Sequence, residues 1–399
     1  MKTYNSLQLA GIQLIMGKGA CSAVSELLKK AGVKKPLIVT DMGVKKNGLT
    51  ESVINNLEEN QIAYEMFDQV ERDPGDKICM AAAGFIKTNS CDSVIAIGGG
   101  SVMDAAKAAK VLANNEGKLF EYDNSPTGGK RFQHRGLYTI CVPTTSGTGC
   151  EVTPYVIITN TQEERKATIN SPYLLADAAI LDPYLTVHMP PAITAGTGMD
   201  ALAHAIGGYT SKRSVNAGGT TLLSDMLELR AIQLIGENLR ECVEHGDNLE
   251  ARLNMMLAST IGGIVISAGG DAGHGLGHAL GSVYHVPHGI ACAMMMPAVM
   301  EYNYPECPER FANIARALGA DTRHLTIEQA AKTAVYEVEK LINDIRIPKL
   351  TDYLHTFEGE RFEKLCLIAE RDKCSQINLK NITRETAKYL YLKACGASR

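Results

Sequence analysis

Ten histidines occur in the chain, and His274, His278, His285 and His288 crowd into one short stretch of it. His274 and His278 stand four apart in GHGLGHALG, and Asp200 and His204 stand four apart in GMDALAHAIGGY. On a helix, residues i and i+4 share a face, so each pair presents both side chains the same way. His288 follows a proline in YHVPHG. Three imidazoles and one carboxylate suit Fe(II) or Zn(II) and leave a position open for a substrate oxygen. Any one of these histidines alone reads more simply as a hydrogen-bonded core residue. The joint spacing is what points to a metal.

A second chemistry is written into two loops. Gly98-Gly99-Gly100-Ser101 lies between the apolar run SVIAI and an alanine-rich helical pattern. Glycines there let backbone N–H groups approach a phosphate, and a helix N-terminus favours negative charge. Ser101 is the expected N-cap. The spacing is not G-x-G-x-x-G, and a tight turn with no ligand explains the loop equally well. Pro143-Thr144-Thr145-Ser146-Gly147-Thr148-Gly149 also follows a strand-like run and combines hydroxyls with flexible backbone, as phosphate and ribose contacts require. Asp41 ends the run PLIVT. A carboxylate at that position accepts from a ribose hydroxyl and repels a 2′-phosphate, favouring NAD over NADP. Taken alone, Asp41 reads better as a turn or cap residue.

These residues need elements to hold them. In the first half, strand-like runs (Pro36 to Thr40, Ile62 to Phe67, Ser93 to Ile97, Thr139 to Pro143) alternate with helical patterns (Leu49 to Asn60, Lys77 to Thr88, Val102 to Asn114). That alternation predicts βαβ units and a parallel sheet with ligands at the carboxyl ends of the strands. From about Pro190-Pro191 the pattern turns helical almost throughout. We place the boundary between Leu181 and Pro191: an α/β dinucleotide-binding domain over residues 1–185 and an all-helical metal-binding domain over residues 186–399. The length, 399 residues, suits two domains at roughly 100–200 residues each.

Composition narrows the partners. The apolar share is 45%, the charged share 21% and the net charge -4, which argues against disorder and against nucleic acid as main partner. Eleven cysteines without a C-x-x-C pattern suit a reducing cytoplasm. No secretory leader is expected from MKTYNSLQLAG, and the apolar run from Gly289 to Met300 is too short to span a bilayer, so no membrane association is expected.

Four ordered motifs carry a resemblance: IGGGSVMDAAK (Ile97 to Lys107), VPTTSGTGCEVT (Val142 to Thr153), PPAITAGTGMDALAHAI (Pro190 to Ile206) and GHGLGHALGSVYHVPHG (Gly273 to Gly289). From about Gly11 to the C-terminal helices the chain resembles the iron-containing (group III) alcohol dehydrogenases, which include lactaldehyde, 1,3-propanediol and methanol dehydrogenases. The resemblance implies a dehydroquinate-synthase-like architecture, an N-terminal α/β nucleotide-binding domain and an all-helical C-terminal domain, with metal and nicotinamide meeting between them. It assigns the metal, iron by family habit and zinc or another divalent ion in some relatives, to Asp200, His204, His274 and His288. His278 matches a histidine near the substrate that is not a ligand, suited to relaying the alcohol proton or to orienting a ligand. The implied NAD contacts are Asp41, Gly99, Gly100, Ser101, Thr144, Thr145, Thr153 and Lys166, with Asp104 turned toward the nicotinamide side. A homodimer is implied, the strand segment around Gly11 to Gly17 contributing to its contact.

The implied activity is NAD(H)-dependent interconversion of a short primary alcohol and its aldehyde. The alternative on the same architecture is a non-redox, dehydroquinate-synthase-like lyase using NAD and a metal, and the Asp/His/His/His set with the P-H-G motif argues against it. A non-catalytic scaffold is a third reading, disfavoured by the intact ligand set and loops. The chain departs from the family over Val265 to Gly273, where Val265 replaces an aromatic, Gly270 and Ala272 replace leucines, and Asp271 adds a carboxylate. This predicts a roomier, more polar pocket and a substrate with polar substituents; a change in backbone packing is the competing explanation. Gly207 stands where a glutamate is frequent, Asn378-Leu379 where Asn-Pro is usual, Cys374 falls near the site, and His285 reads as a loop residue.

Overall fold

The computed structural model describes residues 5–9, 11–123, 129–163, 165–216, 222–266 and 269–396. It divides into two compact units: Met1–Thr145 with Gly149–Val187, and Ser146–Thr148 with His188–Arg399.

The first unit is built on a seven-stranded sheet. Its strands are β1 (Asn5–Leu9), β2 (Ile12–Met16), β3 (Pro36–Val39), β4 (Glu65–Phe67), β5 (Ser93–Gly98), β6 (Tyr138–Pro143) and β9 (Ala178–Leu181), in the order β1-β2-β9-β6-β5-β3-β4. All neighbours are parallel except the β1–β2 pair at one edge. Strands β7 (Tyr155–Asn160) and β8 (Arg165–Asn170) form a separate antiparallel ladder.

Every residue of β3, β5 and β9 is buried, as expected when helices cover both faces of a parallel sheet. Alternate residues go to opposite layers. Leu37, Val39, Val94, Ala96 and Cys141 pack on one face with α4 (Asp76–Thr88) and α5 (Gly100–Asn114). Ile38, Ile95, Ile97, Ile140 and Val142 pack on the other with α1 (Val24–Ala31) and α3 (Glu51–Glu59). A short helix, α2 (Met42–Lys46), follows β3.

The four strand and three helix patterns read from sequence are present to within a few residues. Strands β1, β7, β8 and β9 were not anticipated. AAIL in β9 is too short to separate strand from helix, and in β7 the burial alternates (Val156, Ile158 and Asn160 inward) while the residue types do not, since apolar Ile157 lies on the outer face and polar Asn160 on the inner one.

The second unit is helical: α6 (Pro191–Tyr209), α7 (Lys212–Asn216), α8 (Leu222–Glu244), α9 (Leu249–Val265), α10 (Ala272–Tyr284), α11 (His288–Asn303), α12 (Pro308–Ala317), α13 (Ile327–Asp344), α14 (Glu360–Arg371), α15 (Lys373–Gln376) and α16 (Arg384–Ala394). One continuous apolar core joins them. Helix α6 starts with a proline in its first turn, where the missing N–H costs no hydrogen bond. It is apolar nearly all round, as befits a helix enclosed by others. No helix among the described residues is long and apolar enough to cross a membrane.

Candidate functional site

In the second unit, α6 carries Asp200 and His204, α10 carries His274 and His278, and α11 begins at His288 immediately after Pro287, its N-cap. Asp200 Oδ1 lies 3.2 Å from His288 Nε2 and 3.7 Å from His274 Nε2. The rings pack closely: His204 stacks on His274 at 4.6 Å between centroids, and His274 and His288 are 5.5 Å apart. Helix α11 comes this near because Gly289 has no side chain. A Cβ there would sit 2.0 Å from the Gly196 carbonyl oxygen and 3.2 Å from Asp200 Cβ.

The electrostatics suit a cation. Asp200 Oδ1, His204 Nδ1 and His274 Nε2 are buried and make no aligned hydrogen bond, a condition that costs about 1–3 kcal/mol per group unless something else satisfies it. Burial alone raises the Asp200 carboxyl, but His204, His288 and His274 around it hold it well below the ordinary carboxylate range. Burial pushes His274 down to about 3 and also lowers His204, so both imidazoles are neutral and ready to donate lone pairs. His288 moves the other way: burial opposes its charge, but Cys292 and Asp200 outweigh it and raise it well above the usual imidazole value. An anionic carboxylate and the two neutral imidazoles of His204 and His274 fit a divalent ion, which would take the place of the proton on His288.

A four-residue cluster among the described residues has one unanticipated member. The ligand atoms of Asp200, His274, His288 and Cys292 all lie within 4.8 Å of one another, and His204 is not in that set. Cys292 Sγ stands 3.8 Å from both ring nitrogens of His288. The His288–Cys292 spacing is again i, i+4 and was legible by the rule that picked out Asp200 and His204.

His278 is brought to the same place. Its ring stacks on His288 at 5.1 Å, and its Nδ1 meets Asp372 Oδ2 at 3.0 Å. Asp372, the N-cap of α15, was not anticipated, since it lies 94 residues away in sequence. Asn378 was noted only as a mismatch, yet it is buried. Its Oδ1 accepts the Ala272 amide at 3.1 Å, and its side chain exchanges two hydrogen bonds with Asn303. It thereby holds the start of α10, which carries His274.

Two departures acquire physical accounts. Asp271 is buried and caps α10, its Oδ1 accepting from Gly273 N at 2.9 Å. The carboxylate expected to make the pocket polar is therefore spent on a helix end. Burial pushes it up to about 6. Gly207 makes room for it: a Cβ at Gly207 would stand 3.2 Å from both Asp271 Cγ and its backbone nitrogen. His285 is the exposed C-cap of α10 with φ 58°. Ser267 and Ala268 of the divergent run lie outside the described residues.

In the first unit, β5 ends at Gly98, Gly99 is extended (φ -81°, ψ -171°), and α5 starts at Gly100. The N-cap is therefore Gly99 and not Ser101, because extended Gly99 turns the chain one step earlier than the hydroxyl suggested. Ser101 sits half-buried in the first turn. Thr144 N donates to Gly98 O at 3.0 Å, which sets the second loop beside the first, and an added Cβ on Gly99 would stand 3.5 Å from the Thr145 side chain. Gly99, Gly100, Ser101, Thr144 and Thr145 thus gather at the carboxyl ends of β5 and β6. Asp41 takes the role of a cap: its Oδ1 accepts from Val44 N at 2.9 Å at the start of α2.

The remaining three positions are engaged with the protein. Asp104 Oδ1 accepts from the Cys150 thiol at 2.9 Å and its Oδ2 from Ile157 N at 3.1 Å, and burial raises its carboxyl. Thr153 Oγ1 accepts from Lys107 Nζ at 3.0 Å. Lys166 is exposed on β8 and pairs with Asp73 at 2.5 Å. Lys107 itself is fully buried and also donates to the carbonyls of Cys150 and Tyr155, at 2.9 and 2.7 Å. It pins the segment after the second loop to α5. A lysine in an alanine-rich helix gave no sign of being buried.

In the second unit, the loop tip Ser146–Thr148 packs against α6. A Cβ on Gly147 would stand 2.8 Å from Thr197 O, and the His204 imidazole hydrogen-bonds to the Gly147 backbone. Ser146 Oγ is buried there without a partner.

Comparison with known proteins agrees over the whole chain. Residues 12–183 match the family described as iron-containing alcohol dehydrogenase, and residues 194–395 match its C-terminal domain. Choline dehydrogenase of Bacillus subtilis (strain 168) is 36% identical over 380 residues, covering 95% of this chain and 92% of its own. A crystal structure of 1,3-propanediol oxidoreductase superposes with a TM-score of 0.89 at 33% identity, covering 99% of this chain and 100% of the other. Sulfoacetaldehyde reductase from Bifidobacterium kashiwanohense, solved in complex with NAD+, gives 0.86 at 27% identity, with both chains covered completely. Two family matches that between them span both units, and relatives alike from end to end, make this chain an oxidoreductase of the iron-containing alcohol dehydrogenase family.

Proposed function

We propose that the protein is an NAD(H)-dependent alcohol dehydrogenase or aldehyde reductase that interconverts a short primary alcohol and its aldehyde. In this reading Asp200, His204, His274 and His288 hold a divalent ion, iron first and zinc second. The observation that carries the reading is the convergence of Asp200 Oδ1, His274 Nε2 and His288 Nε2, with Asp200 Oδ1 and His274 Nε2 buried there without aligned hydrogen bonds. When bound, the ion supplies Lewis acidity toward a substrate oxygen and the nicotinamide supplies the hydride acceptor.

The chain's own residues do the rest. Asp200 contributes the negative charge that offsets the ion's, His204 and His274 contribute lone pairs as neutral imidazoles, and His288 would do so on losing its proton. Asp372 holds His278 through Nδ1, which leaves Nε2 as the atom that takes the alcohol proton in one direction and returns it in the other. Gly99, Gly100, Ser101, Thr144 and Thr145 receive the pyrophosphate at the start of α5, where backbone N–H groups and the helix dipole favour an anion. Asp41 disfavours a 2′-phosphate, so NADH is used ahead of NADPH. With its contacts described above, Asp104 acts by positioning α5 and the β7 strand rather than by touching the nicotinamide, Thr153 by shaping the loop, and Lys166 from the surface.

With Asp271 committed to capping α10, a preference for heavily polar substrates loses its main support, and a short primary alcohol or aldehyde remains. The dehydrogenase and reductase names of the relatives above favour this reading over a lyase. The cysteine-rich composition and the β1–β2 edge support a cytoplasmic homodimer, to be checked by sedimentation.

The test is anaerobic NADH oxidation with a series of short aldehydes, after chelation and reloading with Fe(II) or Zn(II), with NADPH alongside. Turnover that disappears on chelation and returns with metal is expected. Tight metal and NAD binding without turnover on any aldehyde overturns the reading.

A further inference from the structure

Among the described residues a second cluster lies beside the first: His278, Asp372 and Cys374 each offer a ligand atom within 4.8 Å of the other two. The local fold prepares it. Asp372 Oδ1 accepts the Cys374 amide at 2.8 Å, which fixes carboxylate and thiol on one turn at the start of α15. From α10, His278 Nδ1 meets the other oxygen of Asp372 at 3.0 Å. Of the eleven cysteines nine are buried, and Cys374 and Cys395 are half-buried. The Cys374 thiol faces the bare backbone of Gly270, where an added Cβ would stand 3.9 Å from Sγ.

Zinc bonds of about 2.3 Å to sulfur and about 2.0–2.1 Å to nitrogen or oxygen place tetrahedral ligand atoms roughly 3.3–3.6 Å apart. From a span of at most 4.8 Å the cluster needs a contraction of up to about 1.2–1.5 Å to reach that. We propose that His278, Asp372 and Cys374 form a second, thiolate-containing site for a zinc-class divalent ion, beside the Asp200–His274–His288 centre. One nitrogen, one oxygen and one sulfur select Zn(II) or Co(II) over Mg(II) or Ca(II), and water completes the tetrahedron. Binding releases the thiol proton to solvent, and nothing is oxidised or reduced. An ion there occupies the imidazole that moves the alcohol proton, so excess zinc inhibits. That consequence rests on the proposed function, while the site does not.

The test is a titration of metal-free protein with Co(II), following bound metal by equilibrium dialysis and the near-ultraviolet thiolate-to-cobalt charge-transfer band. The set Asp200, His204, His274 and His288 contains no sulfur, so the band reports a thiolate ligand. Two ions per chain are expected, with the band accompanying one of them. Cys374→Ser and Cys374→Ala each lose that ion and the band, Cys292→Ser keeps both, and His204→Ala weakens only the ion without the band. One ion per chain and no band overturns the proposal, as does a band that survives Cys374→Ser and vanishes in Cys292→Ser. Failure of the dehydrogenase reading shows separately, as absent turnover with the ion counts and band unchanged.

Discussion

His204 and Cys292 compete for a place around Asp200, and a pair of substitutions separates them. Asp200 Oδ1, His204 Nδ1 and His274 Nε2 are orphaned, so an ion that satisfies them stabilises the helical unit. A ligand at about 1,000 times its Kd adds about 4.1 kcal/mol. For a unit of this size each kcal/mol moves Tm by about 2–4 °C, giving a metal-dependent rise of roughly 8–16 °C. Losing a partner that only orients a ligand costs about 10–100-fold in affinity, so losing a ligand costs at least about 100-fold, or about 2.7 kcal/mol. At the same metal concentration His204→Ala should retain about 1.4 kcal/mol of stabilisation, a shift of roughly 3–6 °C. Cys292→Ser, which leaves all four proposed donors in place, should keep the full shift. The assay is differential scanning calorimetry of metal-free and Zn(II)-loaded protein at fixed free metal, all in a Cys374→Ser background so that only the Asp200 centre contributes. A full shift in His204→Ala together with a collapsed one in Cys292→Ser refutes the reasoning and makes the thiol the fourth ligand.

Gly289→Ala puts a Cβ 2.0 Å from the Gly196 carbonyl and forces α11 off α6. It should cost about 1–3 kcal/mol and weaken metal binding by moving His288, both read in one calorimetric titration. Asp372→Asn keeps the shape but frees His278. With one metal equivalent loaded, kcat should fall about 10–100-fold at unchanged KM for NADH and with a changed pH profile; an unchanged kcat contradicts the orienting role. Lys107→Met should destabilise the first unit by about 3 kcal/mol or more, since it strands several buried carbonyls, and urea unfolding measures this. Burial raises Glu228 to about 8, with Asp225 adding to the effect. The folded state therefore keeps a proton that the unfolded chain loses above pH 4.5, and stability falls as pH rises from there through 8. Glu228→Gln should remove that slope and be more stable than the parent at pH 9 by roughly 3–5 kcal/mol; parallel stability–pH curves contradict it.

What the sequence revealed and what it hid divide along a physical line. Periodicity reports contacts within one element, and it placed the buried strands β3 and β5, the helices beside them, and the Asp200–His204 and His274–His278 pairs. Tertiary contacts leave no such trace. His278 and Asp372 are 94 residues apart and Asn378 and Ala272 are 106, so no window of sequence contains both partners. Polar residues were also assigned by their usual habits, which burial overrode. Lys107, on which the sequence patterns are silent, sits at zero exposure behind carbonyls. Asp271, expected to make the pocket polar, caps a helix, and Asp104 accepts from a thiol and an amide that no local pattern announces.

The same residues show why α10 is the element on which the proposed chemistry depends most. It brings His274 to Asp200 and His278 to Asp372 from one face, one turn apart. Its start is fixed twice, by the Asp271 cap and by Asn378 on the Ala272 amide, and its far side by Tyr391, whose hydroxyl donates to Leu276 O at 2.9 Å. A helix anchored only by apolar packing can slide by fractions of an ångström at little cost. Directional hydrogen bonds to its first turn and middle resist that, and metal ligands tolerate little displacement. Gly207 follows from the same demand: with no side chain on α6 at that point, the Asp271 carboxyl can close on the α10 terminus. Substitution at Asn378 should therefore weaken metal binding and proton transfer together, although the side chain touches neither group.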